Sequence, residues 1–203
     1  MVKKDIPTLQ KIQDDHTFSQ PAKKINEGSD VDFFLSSKAY KDIVTWILML
    51  NASMFPRKSD DGSIKSWHIG MPAKDLSPMV ASLKAMIGDI DAMIDQCPPD
   101  TGPRRFGNIA FRDWYAMLES KADDLLQKYL PEKLCKTSSG ISPAIEIKAY
   151  LLGSWGSAQR LDYGTGHELS FLAFLACLWK LDAFEQREEG VEERAIVLHV
   201  VHP

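Results

Sequence analysis

Residues 160–181 read RLDYGTGHELSFLAFLACLWKL. The segment carries Leu169, Phe171, Leu172, Phe174, Leu175, Leu178 and Trp179, apolar on nearly every side of a helical wheel. A helix of that kind is a buried one, so the stretch predicts an α-helical domain built around it. The mouth of the helix has the opposite character. Arg160, Asp162, His167 and Glu168 put four ionisable groups within nine residues, and Gly164 and Gly166 flank Thr165. Charges at the end of a buried helix are expected to line a crevice.

Three motifs can be tested against these letters, and each fails at one position. A dinucleotide fingerprint needs a third glycine, where Leu169 stands. A P-loop needs a lysine to reach the phosphates, and none follows Gly166. A zincin needs a second histidine one helical turn after His167, where Phe171 stands. A local signal does match: Thr165 and Glu168 spell T-x-x-E before an apolar run, a capping box. Two readings stay open. The glycines and the box simply start a buried helix, or the glycine-flanked N-terminus seats an anion on its free N–H groups. In the second reading Arg160 clamps phosphate and Asp162 holds a magnesium ion on it.

Outward from this stretch, the remaining segments also read as helices. Ser36 or Ser37 opens one through Ile43, Ile47 and Leu50, ended by the turn-rich NASMFPRKSDDGS. Ser77 and Pro78 start another, with Val80, Leu83, Ile87, Ile90 and Ile94 on one face, stopped by Pro98-Pro99. Asn108 is the expected cap of a helix ending before Pro131, and Ser142-Pro143 opens one through AIEIKAYLLGSW. A last helix starts near Val191. No alternating strand pattern or internal repeat is present, so the fold class is all-α. Residues 1–30, polar and carrying Pro7, Pro21 and Gly28, read as an N-terminal arm, docked or mobile, ahead of a helical domain over residues 31–203.

The chain has 203 residues, enough for one domain with a sizeable core. Its net charge of -4 argues against a general nucleic-acid binder. The N-terminus lacks the apolar region of a secretory signal, and the longest apolar run is shorter than the about 20 residues a membrane span needs. Cys97, Cys135 and Cys177 are few, odd in number and far apart, which suits a reducing cytoplasmic or nuclear compartment.

The quoted stretch closely resembles the signature of the phosphotyrosyl phosphatase activator family. FGNIAFRDWYAML, residues 106–118, is a second match, and ERAIVLHVVHP at the C-terminus a third. The family comprises activators of serine/threonine protein phosphatase 2A that are also classed as peptidyl-prolyl cis-trans isomerases. The resemblance implies an irregular multi-helix fold with a deep pocket for ATP and magnesium. It also implies binding to the phosphatase catalytic subunit, promotion of its metal-loaded form, and action on proline-containing peptides. By the same resemblance Asp162, Tyr163, Gly164, Thr165, Gly166, His167 and Glu168 belong to the pocket or its rim. Arg112 is the next candidate, beside Arg160, and Asp162 and Glu168 are the metal candidates; catalytic residues stay unassigned.

Family members continue into a further glycine- and tryptophan-rich motif, so the resemblance implies that the C-terminal part of the fold is missing. That expectation leaves Ala195, Ile196, Val197, Leu198, Val200 and Val201 short of cover. It predicts weak or no ATP binding by this chain alone, and self-association or a shortened form of a longer protein. Other residues read plainly. Trp46, Trp114 and Tyr115 are core positions, His199 and His202 lack partners for a metal, EQREEGVEER is a solvated loop and helix start, and Arg104 and Arg105 are surface arginines. Gly153, inside a predicted helix, is a site where alanine would stabilise.

Overall fold

A computed structural model describes residues 8–13, 15–102, 107–136 and 140–202. Arg104 and Arg105 lie outside them. The elements in chain order are α1 (Gly28–Ser36), α2 (Lys38–Ser53), β1 (Arg57–Lys58), β2 (Ile64–Lys65), α3 (Pro78–Ala92) and α4 (Phe111–Tyr129). They continue with α5 (Glu132–Cys135), α6 (Pro143–Gly153), α7 (Thr165–Lys180) and α8 (Val191–Ile196). A 3-10 turn (Met93–Asp95) extends α3, and a π-helical turn (Val197–Val201) extends α8. The fold is all-α apart from the antiparallel β1–β2 hairpin, in which Arg57 pairs with Lys65 and Lys58 with Ile64.

The starts of α2 and α3 follow from capping. The Ser37 hydroxyl accepts from the Tyr40 N–H, and the Ser77 hydroxyl accepts from the Val80 N–H. Each satisfies one of the four N–H groups a helix start leaves unpaired. Asn108 acts differently. Its side-chain carbonyl accepts from the N–H groups of Ala110 and Asp100, and its amide donates to the Asp100 carbonyl. It therefore staples the preceding loop to the approach of α4, while Ala110 occupies the cap position.

The core gathers around Trp46, Leu83, Met86, Ile90, Leu118, Leu126, Ile147, Leu151, Phe174, Leu175, Leu178 and Ile196, all fully buried. Helix α7 contacts α6 on one side and α2 on the other, α6 contacts α4, and α4 contacts α3. Helix α7 is less buried than its composition predicts. Phe174, Leu175, Ala176 and Leu178 are enclosed, whereas Thr165, Gly166, Glu168 and Leu169 are exposed. The burial gradient along α7 carries its N-terminal turns to the surface.

Two further expectations are corrected. Ile196, Leu198 and Val200 are buried, because α8 packs on α2 and the π-helical turn packs on α3. Cover for the last segment comes from earlier helices. The EQREEGVEER run is not wholly solvated either. Glu192 is only 2% exposed and accepts a hydrogen bond from the Ser77 hydroxyl, joining the start of α8 to the cap of α3. At the other end of the chain, Leu9 is buried, the Ile12 N–H donates to the Lys180 carbonyl, and Lys11 pairs with Asp182. Helix α1 begins at Gly28, inside the span read as an arm, and buries none of its residues.

Candidate functional site

The loop entering α7 is held by a short bridge. The Ser157 N–H donates to the Asp162 carbonyl and the Leu161 N–H donates to the Ser157 carbonyl. This closes residues 157–162 into a tight turn, with Leu161 at φ 55°, a region non-glycine residues seldom occupy. Gly156, at φ +109°, starts the turn; a Cβ there would stand 2.9 Å from the Asp162 carbonyl oxygen. Gly107, at φ +90°, presses on its far side, where a Cβ would stand 2.5 Å from the Leu161 carbonyl oxygen. Arg112 reaches across from α4, its Nε donating to the Ala158 carbonyl at 3.1 Å. The loop carrying Arg160 and Asp162 is thus fixed from three directions.

Beyond the turn, Gly164 is fully extended and caps α7. No side chain caps this helix start, so the predicted capping box is not formed. Thr165 is already the first helical residue, one position too late to accept from the Glu168 N–H. The Gly164 carbonyl instead receives the His167 and Glu168 N–H groups. The N–H groups of Thr165 and Gly166 have no partner among the described residues. Neither Gly164 nor Gly166 has an atom within 4 Å of the place a Cβ would take. There is open space where side chains at both positions would stand, beside the positive end of the helix dipole.

Arg160 Nε donates to Asp162 Oδ2 at 2.7 Å, and the guanidinium holds the Asp162 carboxyl below the usual carboxylate range. His167 Nε2 stands 4.0 Å from Asp162 Oδ1. Its other ring nitrogen, Nδ1, is 2.7 Å from the Gly153 carbonyl, and the ring stacks on Tyr163 with centroids 5.6 Å apart. The structure therefore brings Arg160, Asp162, Tyr163, Gly164, Thr165, Gly166, His167 and Glu168 together around one helix end. Arg112 stands beside them on α4, where its Nε supports the loop backbone.

Next to this helix end lies an open groove of ≈ 1140 Å³. Phe111, Trp114, Trp155, Phe171 and Leu172 form its apolar walls, and Tyr163, Glu168 and Asn108 stand among its polar lining residues. Trp114 thus serves the core, where it is 7% exposed, and a groove wall as well. Among the described residues no group of three or more histidine, cysteine or acidic side chains could hold a metal by itself. Asp162 and Glu168 still suit magnesium, which takes one or two carboxylates and completes its shell with phosphate oxygens and water. The unpaired amides and the open ground before Gly164 and Gly166 fit a phosphate group.

The sequence reading missed Gly107 and Gly156. FGN and WGS mark them, but only the close approach of two segments shows why glycine is needed. Gly153 ends α6 against α7, where a Cβ would stand 2.7 Å from Ser170 Oγ. That contact sets the loss of the Ser170–Tyr150 hydrogen bond against the helix propensity an alanine would bring.

A family profile described as "Phosphotyrosyl phosphate activator (PTPA) protein" matches residues 21–203. Serine/threonine-protein phosphatase 2A activator 1 of Emericella nidulans is 53% identical over 192 residues, covering 93% of this chain and 44% of its own length. The protein of the same description from Aspergillus fumigatus is also 53% identical over 192 residues, covering 93% of this chain and 41% of its own length. The crystal structure of the PP2A phosphatase activator Ypa1 superimposes with a TM-score of 0.69 at 29% identity, covering 95% of this chain and 61% of that one. The chain spans less than half the length of these two curated relatives. By sequence and by fold, it belongs to the phosphotyrosyl phosphatase activator family.

Proposed function

We propose that this chain carries the nucleotide seat of an ATP- and magnesium-dependent activator of serine/threonine protein phosphatase 2A, working in the cytoplasm and nucleus. The observation that carries the reading is the start of α7, which no side chain caps and whose Thr165 and Gly166 N–H groups have no partner among the described residues. Those amides and the helix dipole would receive phosphate oxygens, and Arg160 would add a guanidinium to them. Asp162 and Glu168 would hold the magnesium ion, and Tyr163 would offer an aromatic edge at the rim. Bound ATP would supply concentrated negative charge and bring the metal ion with it. The chain's own task is to orient those groups toward the phosphatase catalytic subunit, so that the subunit takes up its metals in the active arrangement. Relatives described as phosphatase 2A activators support this reading.

The test mixes the chain with metal-free phosphatase 2A, ATP and magnesium, and follows serine phosphatase activity. A gain that requires ATP is expected, against the sequence-based expectation of weak or no ATP binding, because earlier helices cover the last segment. Asp162→Ala should abolish most of that gain at unchanged melting temperature, because the carboxylate is half exposed and supports no packing. No gain with the unaltered chain would sink the proposal.

The apolar groove favours a second reading, catalysis of prolyl isomerisation. The barrier of about 18–20 kcal/mol reflects partial double-bond character that a dry environment weakens. Phe111, Trp114, Trp155 and Phe171 would desolvate the imide of a proline-containing peptide. Isomerisation of such a peptide, measured with and without ATP, separates this reading from the first.

A further inference from the structure

Three backbone carbonyls near the end of α6 accept from side chains of other elements. The Tyr150 carbonyl accepts from Ser170 Oγ at 2.9 Å, the Leu152 carbonyl from the Tyr115 hydroxyl at 3.2 Å, and the Gly153 carbonyl faces His167 Nδ1 at 2.7 Å. These belong to the last turn of a helix, where carbonyls lose their regular helical partners; Tyr150 and Leu152 also have local donors, Ser154 Oγ at 2.6 Å and the Trp155 N–H at 3.5 Å. Two of the three side chains, His167 and Ser170, sit three residues apart on one face of α7 and meet two carbonyls three residues apart on α6. The close approach at Gly153 makes this double clasp short.

A carbonyl only accepts, so the His167 proton resides on Nδ1. The ring is then fixed at both ends, by that bond and by stacking on Tyr163. His167 lies in the same turn as the unpaired amides of Thr165 and Gly166. We propose that His167 is a positioning residue of the nucleotide seat rather than a ligand of the nucleotide. It works through Nδ1, locking the first turn of α7 onto the end of α6 and so setting the direction in which the free amides point. This inference rests on the nucleotide reading above and adds to it the atom responsible.

Asparagine and glutamine separate the two nitrogens, because the asparagine amide reaches about where Nδ1 lies and the glutamine amide about where Nε2 lies. The ¹⁵N-labelled chain and its His167→Asn and His167→Gln variants are titrated with magnesium-ATP by NMR. Amide exchange in the first two turns of α7 is measured alongside. His167→Asn is expected to keep the wild-type affinity and exchange rates. His167→Gln is expected to bind about tenfold more weakly, the effect of one lost hydrogen bond to a half-buried carbonyl, and to exchange faster. The opposite ranking would make Nε2 the working atom and overturn the proposal, as would equal behaviour of the two variants. If His167→Gln does not fold, the asparagine variant alone decides, wild-type behaviour supporting the clasp and loss overturning it. If the unaltered chain shows no ATP-dependent shifts, the nucleotide reading fails, and the exchange rates alone decide whether Nδ1 locks the helix.

Discussion

A Cβ on Gly107 would stand 2.5 Å from the carbonyl oxygen of Leu161, closer than any side chain tolerates. Both residues hold positive φ, 90° at Gly107 and 55° at Leu161, so two unusual backbone conformations lean on one another. The loop between α3 and α4 is thereby pressed against the turn that carries Asp162. Gly107→Ala is expected to cost about 1–3 kcal/mol, from unfavourable φ and from displacing the turn. Denaturant unfolding measures that cost. Magnesium-ATP affinity should fall in the same variant although Gly107 touches no candidate ligand residue.

Gly153→Ala should cost at most about 1 kcal/mol, because the new methyl group displaces Ser170 Oγ, 2.7 Å away, from its hydrogen bond to the Tyr150 carbonyl. The double variant with Ser170→Ala removes the obstructing hydroxyl and should recover part of the loss. A thermodynamic cycle over the two positions therefore shows a coupling of at least about 0.5 kcal/mol. Strict additivity would mean that the two helices part at no cost.

The serines and threonine at helix starts predict a contrast. Ser37→Ala should cost about 1 kcal/mol, since its hydroxyl accepts from the Tyr40 N–H. Thr165→Ala should change stability by less than about 0.5 kcal/mol, since no side chain caps α7. Chemical denaturation of both variants under the same conditions makes the comparison.

Glu192 yields a pH dependence. Burial raises its carboxyl above the ordinary value of 4.5, partly offset by the Ser77 hydroxyl and by Arg187 at 3.5 Å. A raised acid favours the folded state below its unfolded pKa and loses that contribution as pH rises through the folded value. Glu192→Gln keeps an acceptor for Ser77 without the charge. Its melting temperature should match the wild type near about pH 4 and overtake it as pH rises toward neutrality. A difference independent of pH would remove the buried carboxylate from the account.

Much of the helical order was legible because local chemistry and burial agree. Ser77 and Pro78 announce α3, and its apolar face, Val80, Leu83 and Ile90, is enclosed. The all-round apolar character of α7 marked the central helix but concealed its gradient, because composition does not tell a residue facing the core from one facing an open groove. Helix α1 escaped notice since it buries nothing, and β1 and β2 are two residues each, too short for any alternation to show. At the site, the residue types around Gly164–Gly166 were readable from their order. Thr165 was misread as a cap because capping depends on which carbonyl begins the helix. The role of Arg112 toward Ala158, 46 residues away in the chain, depends on tertiary placement that no spacing encodes.

Lys11 donates to the Trp179 carbonyl across 168 residues of chain and stands over the Trp179 ring at 4.9 Å. With the Ile12–Lys180 bond beside it, this contact closes nearly the whole polypeptide into a ring. The entropy of closure grows only logarithmically with ring size, so so long a ring costs little more than one half its length. Its kinetic consequence is larger, since contacts this distant in sequence form slowly and only on a surface already assembled. The extended segment around Leu9 should accordingly be the last part to settle during refolding and the first to yield to a protease, while the helices behind it remain intact.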